Sequence, residues 1–245
     1  TVDLGALDGE SGFRIDNGLY RTLQVRSVAS AGDLDGDGLD DVVVGPRGAG
    51  AFVVLGSSSG FPAAVSVDAL NGADGFSVAG VVAADATGRS VASAGDVDGD
   101  GLDDLLLGAP GFDVGDYADS GASYVLFGSS TGFAAAPSLA ALDGADGFRI
   151  DGPASDSGDQ FGYSVAAAGD VNGDGLDDLI VGTRDGGSSH VVFGSSAGFS
   201  ATVSVDALNG ANGFSLEGRP TSDQPGDPVA SAGDVNGDGI DDLVV

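Results

Sequence analysis

Carboxylates recur in this chain at a spacing suited to holding a cation. In Asp33-Leu34-Asp35-Gly36-Asp37-Gly38-Leu39-Asp40-Asp41 they occupy positions 1, 3, 5 and 9, with glycine at position 6. Alternate aspartates converge as such a segment curls, the glycine permits the tight turn, and position 7 offers its backbone carbonyl. This is the ligand logic of the early half of a calcium loop. It nominates Asp33, Asp35, Asp37, the Leu39 carbonyl and Asp41. The same spacing nominates Asp96, Asp98, Asp100, the Leu102 carbonyl and Asp104, then Asp170, Asn172, Asp174, the Leu176 carbonyl and Asp178. A fourth set is Asp234, Asn236, Asp238, the Ile240 carbonyl and Asp242. Every donor is oxygen, so calcium fits better than zinc or iron, and three to four Ca2+ ions are expected. Without a cation the carboxylates would repel and raise one another's pKa. An EF-hand would carry Glu at position 12, where this chain has Val44, Leu107, Val181 and Val245. The loop therefore joins two strands rather than two helices. Asp40, Asp103, Asp177 and Asp241 alternate away from the ligating neighbour and read as solvated or turn-capping.

Other reactive patterns are weaker. Gly56-Ser57-Ser58-Ser59-Gly60 has the G-x-S-x-G form of a hydrolase elbow, but counterparts follow from Gly128 and Gly194, which makes it turn chemistry of a repeat. The single histidine, His190, sits in an apolar run and reads as an exposed or edge-strand residue. There is no cysteine, hence no thiol catalysis, thiolate metal site or disulfide. No catalytic residue is nominated, and an enzyme is not expected. Phe112 and Tyr117 stand in a ten-residue insertion, Gly111 to Ser120, where an aromatic either anchors a partner or packs down.

The elements that position these loops come from internal repetition. Their first aspartates fall at 33, 96, 170 and 234, at intervals of 63, 74 and 64 residues, the long one containing the insertion. A Leu-to-Phe block recurs from Leu7, Leu70, Leu142 and Leu208, and a third block from Ala51, Ser123 and Ser189 appears three times only. Apolar runs are short, β-rich and bounded by Gly, Asp, Asn or Ser. Each unit is predicted to hold four strands, as around Val91–Ala94, Asp104–Gly108, Tyr124–Gly128 and Phe148–Ile150. Four-stranded units repeated about an axis predict an all-β propeller with about four units, part of a larger ring; a solenoid or open stacking of units are the alternatives. Units are placed at about 19–80, 81–152, 153–218 and a partial 219–245, with 1–18 ending a preceding unit. The third strand missing from the last unit implies completion by further chain or by another copy.

Composition restricts partners. The formal net charge is −30 over 245 residues, and all eight basic residues are arginine. A surface so acidic disfavours nucleic acid, anionic membrane and acidic polysaccharide. No stretch is long and apolar enough to insert in a membrane as a helix.

With Phe161-Gly162, SVAAAGDVNGDGLDDLIVG from Ser164, and Gly108-Ala109-Pro110, the chain resembles the FG-GAP repeats of integrin alpha subunits, and more closely those of bacterial secreted or surface proteins. The likeness spans nearly the whole chain, 1–245. Gly88-Arg89, Gly45-Pro46-Arg47 and Gly182-Thr183-Arg184 depart from the name-giving residues. The resemblance implies a propeller, usually of seven blades, with calcium at the positions named above. It further implies an extracellular or cell-surface recognition or adhesion module with a protein or glycan ligand. A structural stalk or filament segment, or a scaffold domain of a secreted enzyme, are the alternatives.

Overall fold

The computed structural model describes residues 6–16, 25–46, 50–154, 158–184, 187–218 and 228–245. Unit boundaries near 19 and 219, and Arg47, lie outside these.

Most of the described strands pair antiparallel, in sheets that follow the repeats. In the first, β2 (Val25–Gly32), β3 (Asp41–Pro46), β4 (Ala51–Val54) and β6 (Gly75–Val78) pair in that order. In the second, β7 (Val91–Gly95), β8 (Asp104–Ala109), β9 (Ala122–Leu126) and β10 (Gly147–Asp151) repeat the pattern. The third contains β11 (Ser164–Gly169), β12 (Asp178–Gly182), β13 (Ser188–Val192) and β15 (Gly213–Glu217). The last holds β16 (Ala230–Gly233) and β17 (Asp242–Val244). The strands predicted in the second unit therefore lie within two residues of those found.

Two short strands were not foreseen. β5 (Ala64–Ser66) leaves its own unit to pair in parallel with β1 (Arg14–Asp16), and β14 (Thr202–Ser204) does the same with β10. Three-residue segments carry too little periodicity to register as strands, and their partners lie about fifty residues upstream.

Apolar side chains fill the layers between successive sheets. One cluster joins Leu34, Val43, Val53 and Phe76 of the first sheet region to Leu105, Leu107 and Tyr124 of the second; another joins Leu106, Val125 and Phe148 to Leu179, Val181 and Val192. Leu105, Leu106 and Leu107 are all buried because β8 is covered on both faces, which explains an unbroken apolar run where alternation would mark a half-exposed strand.

The propeller expectation is corrected. The described strands form separate sheets of two, four and five strands, and none closes on itself or joins a ring. Repetition specifies each local meander through nearby turns, whereas closure depends on contacts between distant units that a repeat pattern does not encode. The last sheet has two strands among the described residues.

Candidate metal centre

A β-bulge launches each acidic loop. Pairing shifts between Ser30 and Gly32, Ser93 and Gly95, Ala167 and Gly169, and Ser231 and Gly233. The glycine adopts a left-handed φ between 65° and 76° in the four copies and turns the chain out of the sheet. The position 9 aspartate opens the returning strand directly opposite it, as in Gly95 against Asp104. Strand register thus brings the end of the loop back to its beginning.

Within the first loop, Asp33 accepts from the N–H groups of Gly36 (2.8 Å), Asp37 (3.1 Å) and Gly38 (2.9 Å), which curls the backbone around its carboxylate. Asp96, Asp170 and Asp234 organise their loops similarly. Leu39, Leu102, Leu176 and Ile240 donate their N–H groups to the position 5 carboxylates at 2.9 to 3.0 Å. Carboxylate oxygens of Asp33, Asp35 and Asp37 lie within 4.8 Å of one another, as do those of Asp96, Asp98 and Asp104. These two clusters could hold divalent cations. In the third and fourth loops Asn replaces Asp at position 3, and Asn172 and Asn236 direct their amides toward Asp178 and Asp242 at 3.5 and 3.4 Å.

Position 9 is the electrostatic centre. Asp41, Asp104 and Asp178 are buried. Each accepts one N–H from its own loop (Leu34, Val97 or Val171) and one from the first glycine of the G-x-S-x-G segment (Gly56, Gly128 or Gly194), at 2.7 to 3.0 Å. Loss of hydration outweighs these bonds and pushes Asp41 and Asp178 up to about 6 and Asp104 up to about 8; neighbouring loop carboxylates push the same way. Buried carboxylates of this kind, beside further oxygen donors, fit a hard divalent cation that would supply the missing positive charge. Asp242 receives an N–H from Val235 at 3.0 Å and is only half-buried.

The G-x-S-x-G segments are support for these loops. Besides the glycine N–H given to position 9, Ser129 and Ser195 donate their N–H groups to the carbonyls of Leu34 and Val97, both at 2.8 Å. The hydroxyl of Ser57 bonds that of Ser59 (2.9 Å), as Ser129 does Thr131 (2.9 Å).

Asp103, Asp177 and Asp241 correct the reading as solvated or turn-capping. Each reaches across to the preceding unit and accepts the N–H of Asp33 (2.8 Å), Asp96 (3.0 Å) or Asp170 (3.0 Å). The N–H groups of these three return the bond to the carbonyls of Asp33, Asp96 and Asp170. Alternation correctly turned them away from their own loop; only the adjacent sheet shows what they then meet. Asp40 is exposed. His190 is also corrected. It lies on β13, an interior strand, buried between Ser188 (3.1 Å) and Ser215 (2.8 Å), and burial lowers its pKa to about 4. Phe112 packs down, edge-on to Tyr124 and beneath the Arg149 guanidinium.

Residues 87–126 and 161–201 match the FG-GAP repeat. The chain is 31% identical to integrin alpha pat-2 of Caenorhabditis elegans over 88% of its length and 17% of that protein. It is 33% identical to integrin alpha-PS2 of Drosophila melanogaster over 69% of the chain and 12% of the relative, and 38% identical to mouse integrin alpha-E over 48% and 9%. The chain thus spans under a fifth of these relatives. Greater likeness to bacterial surface proteins is overturned, since the repeats match those of animal integrin alpha chains. The loop and strand spacing that carried the resemblance does not distinguish one source from another.

Proposed function

We propose that this chain is a calcium-binding adhesion module working at the cell surface or outside the cell, with no catalytic role of its own. The observation that carries the reading is the repeated carboxylate cluster at a bulged strand junction, in a chain similar to integrin alpha subunits over most of its length. The metal donors are the twenty residues at positions 1, 3, 5, 7 and 9 of the four loops, and the ions number three or four. Calcium would neutralise position 9 and fix each sheet to its neighbour through the adjoining hydrogen bonds of Asp103, Asp177 and Asp241.

The partner is a protein or glycan ligand, alongside a second chain or further repeats that complete the array. Val28 is 66% exposed although its counterparts Val91, Val165 and Val229 are buried by the preceding unit. At the other end Val235 is 72% exposed where Leu34 and Val97 are buried by the following unit. A repeat laid against each face would bury both. The units at about 19–80, 81–152, 153–218 and 219–245 remain the proposed divisions.

Calorimetric titration of the chelated chain tests this reading. The expected result is three or four calcium ions per chain, followed by calcium-dependent retention of cells on a surface coated with the protein. Absence of calcium uptake at millimolar concentration would overturn it.

A further inference from the structure

The end of the sheets opposite the acidic loops carries a different chemistry. β7 runs into its loop at Gly95 and β8 returns to Ala109, so Arg89, just before β7, and Pro110, just after β8, lie about 20 Å from the cation cluster. There a cavity of about 470 Å3 is lined by Arg26, Arg89, Arg184 and Tyr163. In a chain of net charge −30 with eight cations, three of the eight gather at this one place.

The gathering follows from the repeat. Arg26, Arg89 and Tyr163 each immediately precede a serine at the outer end of a unit's first strand (Ser27 within β2, Ser90 just before β7, Ser164 opening β11), so they are one repeat position presented three times. The Arg89 and Arg184 guanidiniums lie 4.1 and 5.2 Å from the centre of the Tyr163 ring. Stacking on a ring fixes a guanidinium's plane and leaves its edge donors free to point elsewhere. Among the described residues the ion pairs are Arg14–Asp16 and Arg149–Asp151, which involve neither of these arginines.

The wall is strained. Ala86, Asp119 and Gln160 are the only non-glycine residues with left-handed φ among those described, at 54°, 52° and 55°, and all three line this cavity. Backbone hydrogen bonds hold them: Gln160 N–H to the Asp119 carbonyl (3.0 Å), Arg89 N–H to Ala86 (3.0 Å) and Tyr163 N–H to Gln160 (3.1 Å). Asp119 is the penultimate residue of the ten-residue insertion of the second unit, so the segment that breaks the repeat also shapes the pocket. Strained non-glycine backbone concentrated at one cavity is the pattern of a binding site.

We propose that this cavity binds a single carboxylate presented by a protein partner. Two ring-stacked guanidiniums match a carboxylate's paired oxygens. One carboxylate, Asp119, also lines the cavity, leaving a net positive lining of about two charges that suits one anionic group. The acidic surface beyond repels a polyanion, which excludes sulfated glycans and nucleic acid as occupants. The proposal rests on the recognition reading above and names the chemistry of what is recognised.

The test is arginine Nε–Hε NMR of the whole chain in saturating calcium, at fixed ionic strength. The probes are acetyl-Gly-Asp-Gly-amide, its Asn counterpart, and sodium sulfate. Saturable shifts at Arg89 and Arg184 with the Asp peptide are expected, with at least tenfold weaker binding of the Asn peptide. R89Q and R184Q should each weaken binding about tenfold, and R14Q should leave it unchanged. No saturable shift in the unsubstituted protein overturns the proposal whatever the variants do, and an equal response to the Asn peptide or to sulfate overturns it too. Calcium-induced thermal stabilisation of the same sample separates failure of the pocket from failure of the adhesion-module reading.

Discussion

A buried aspartate without a cation partner is the residue on which the acid–base behaviour of this protein turns. Asp104 is held up to about 8, and Asp41 and Asp178 up to about 6, because burial disfavours their charged forms. In calcium-free protein the folded state therefore keeps these protons above the unfolded value of about 3.9. Their contribution to stability is fully present below about pH 4 and is lost as pH rises through about 6 and then about 8. Chelated protein is expected to melt at a lower temperature at pH 8.5 than at pH 5, at constant ionic strength; an equal or higher temperature at pH 8.5 would remove this account. Calcium requires the ionised form, so its affinity should rise over the same interval as protons are displaced. Asp104→Asn should raise the melting temperature of the chelated protein at pH 8.5. In calcium it should lose the stabilisation from one ion, about 2.7 kcal/mol at 100 times the dissociation constant.

At the scale of elements, the latch between neighbouring loops explains a glycine and an aspartate together. A Cβ at Gly95 would stand 2.2 Å from the Asp177 carboxylate, and one at Gly32 equally close to that of Asp103, whereas one at Gly233 meets nothing within 4 Å. Both Gly95 and Gly233 have left-handed φ, at 72° and 65°, so alanine costs each about 1–2 kcal/mol through the backbone. Gly95→Ala should cost about 2 kcal/mol more than Gly233→Ala in chemical denaturation, because it also breaks the latch. Equal losses would show that the latch contributes nothing. Asp177→Ala leaves the Asp96 N–H without its carboxylate and should cost about 1–3 kcal/mol, against less than about 0.5 for exposed Asp40→Ala. Aromatic pairs repeat the same stitching farther along each unit. Phe13 stacks on Phe61, Phe76 on Phe133 and Phe148 on Phe199, with ring centres 4.1 to 4.4 Å apart.

For the molecule as a whole, calcium and neighbouring repeats act in the same direction. Four independent sites at 100 times their dissociation constants would stabilise the fold by at most about 11 kcal/mol, comparable with the entire stability of a domain. A melting temperature unchanged between chelator and millimolar calcium at fixed salt would rule that out. The exposed faces at Val28 and Val235, with the edge at Val244, should bring chains together or recruit further repeats. Sedimentation in calcium is expected to show association that Val28→Asp and Val235→Asp abolish. A monodisperse 23.6 kDa species with strong hydrogen-exchange protection at Val244 would count against it.

The chain by itself determined what depends on spacing and on short-range geometry. Asp, Gly and Asp at fixed offsets specify a curled oxygen-rich loop, and β-branched runs between turns specify the strands on either side, because both are governed by neighbours within a dozen residues. The insertion at 111–120 was legible as a break in period. Decisions made across units were not legible. That Asp177 would meet Asp96, that His190 would be interior, and that β14 would join β10 all depend on which sheet lies alongside. The same holds for the arginine cavity: Arg26 and Arg89 are 63 residues apart in sequence, and Arg184 lies a further 95 away. Ring closure was inferred from repetition and not found, since a repeat fixes each unit and its turn, while the angle between units is set by side chains packed in the layer between them.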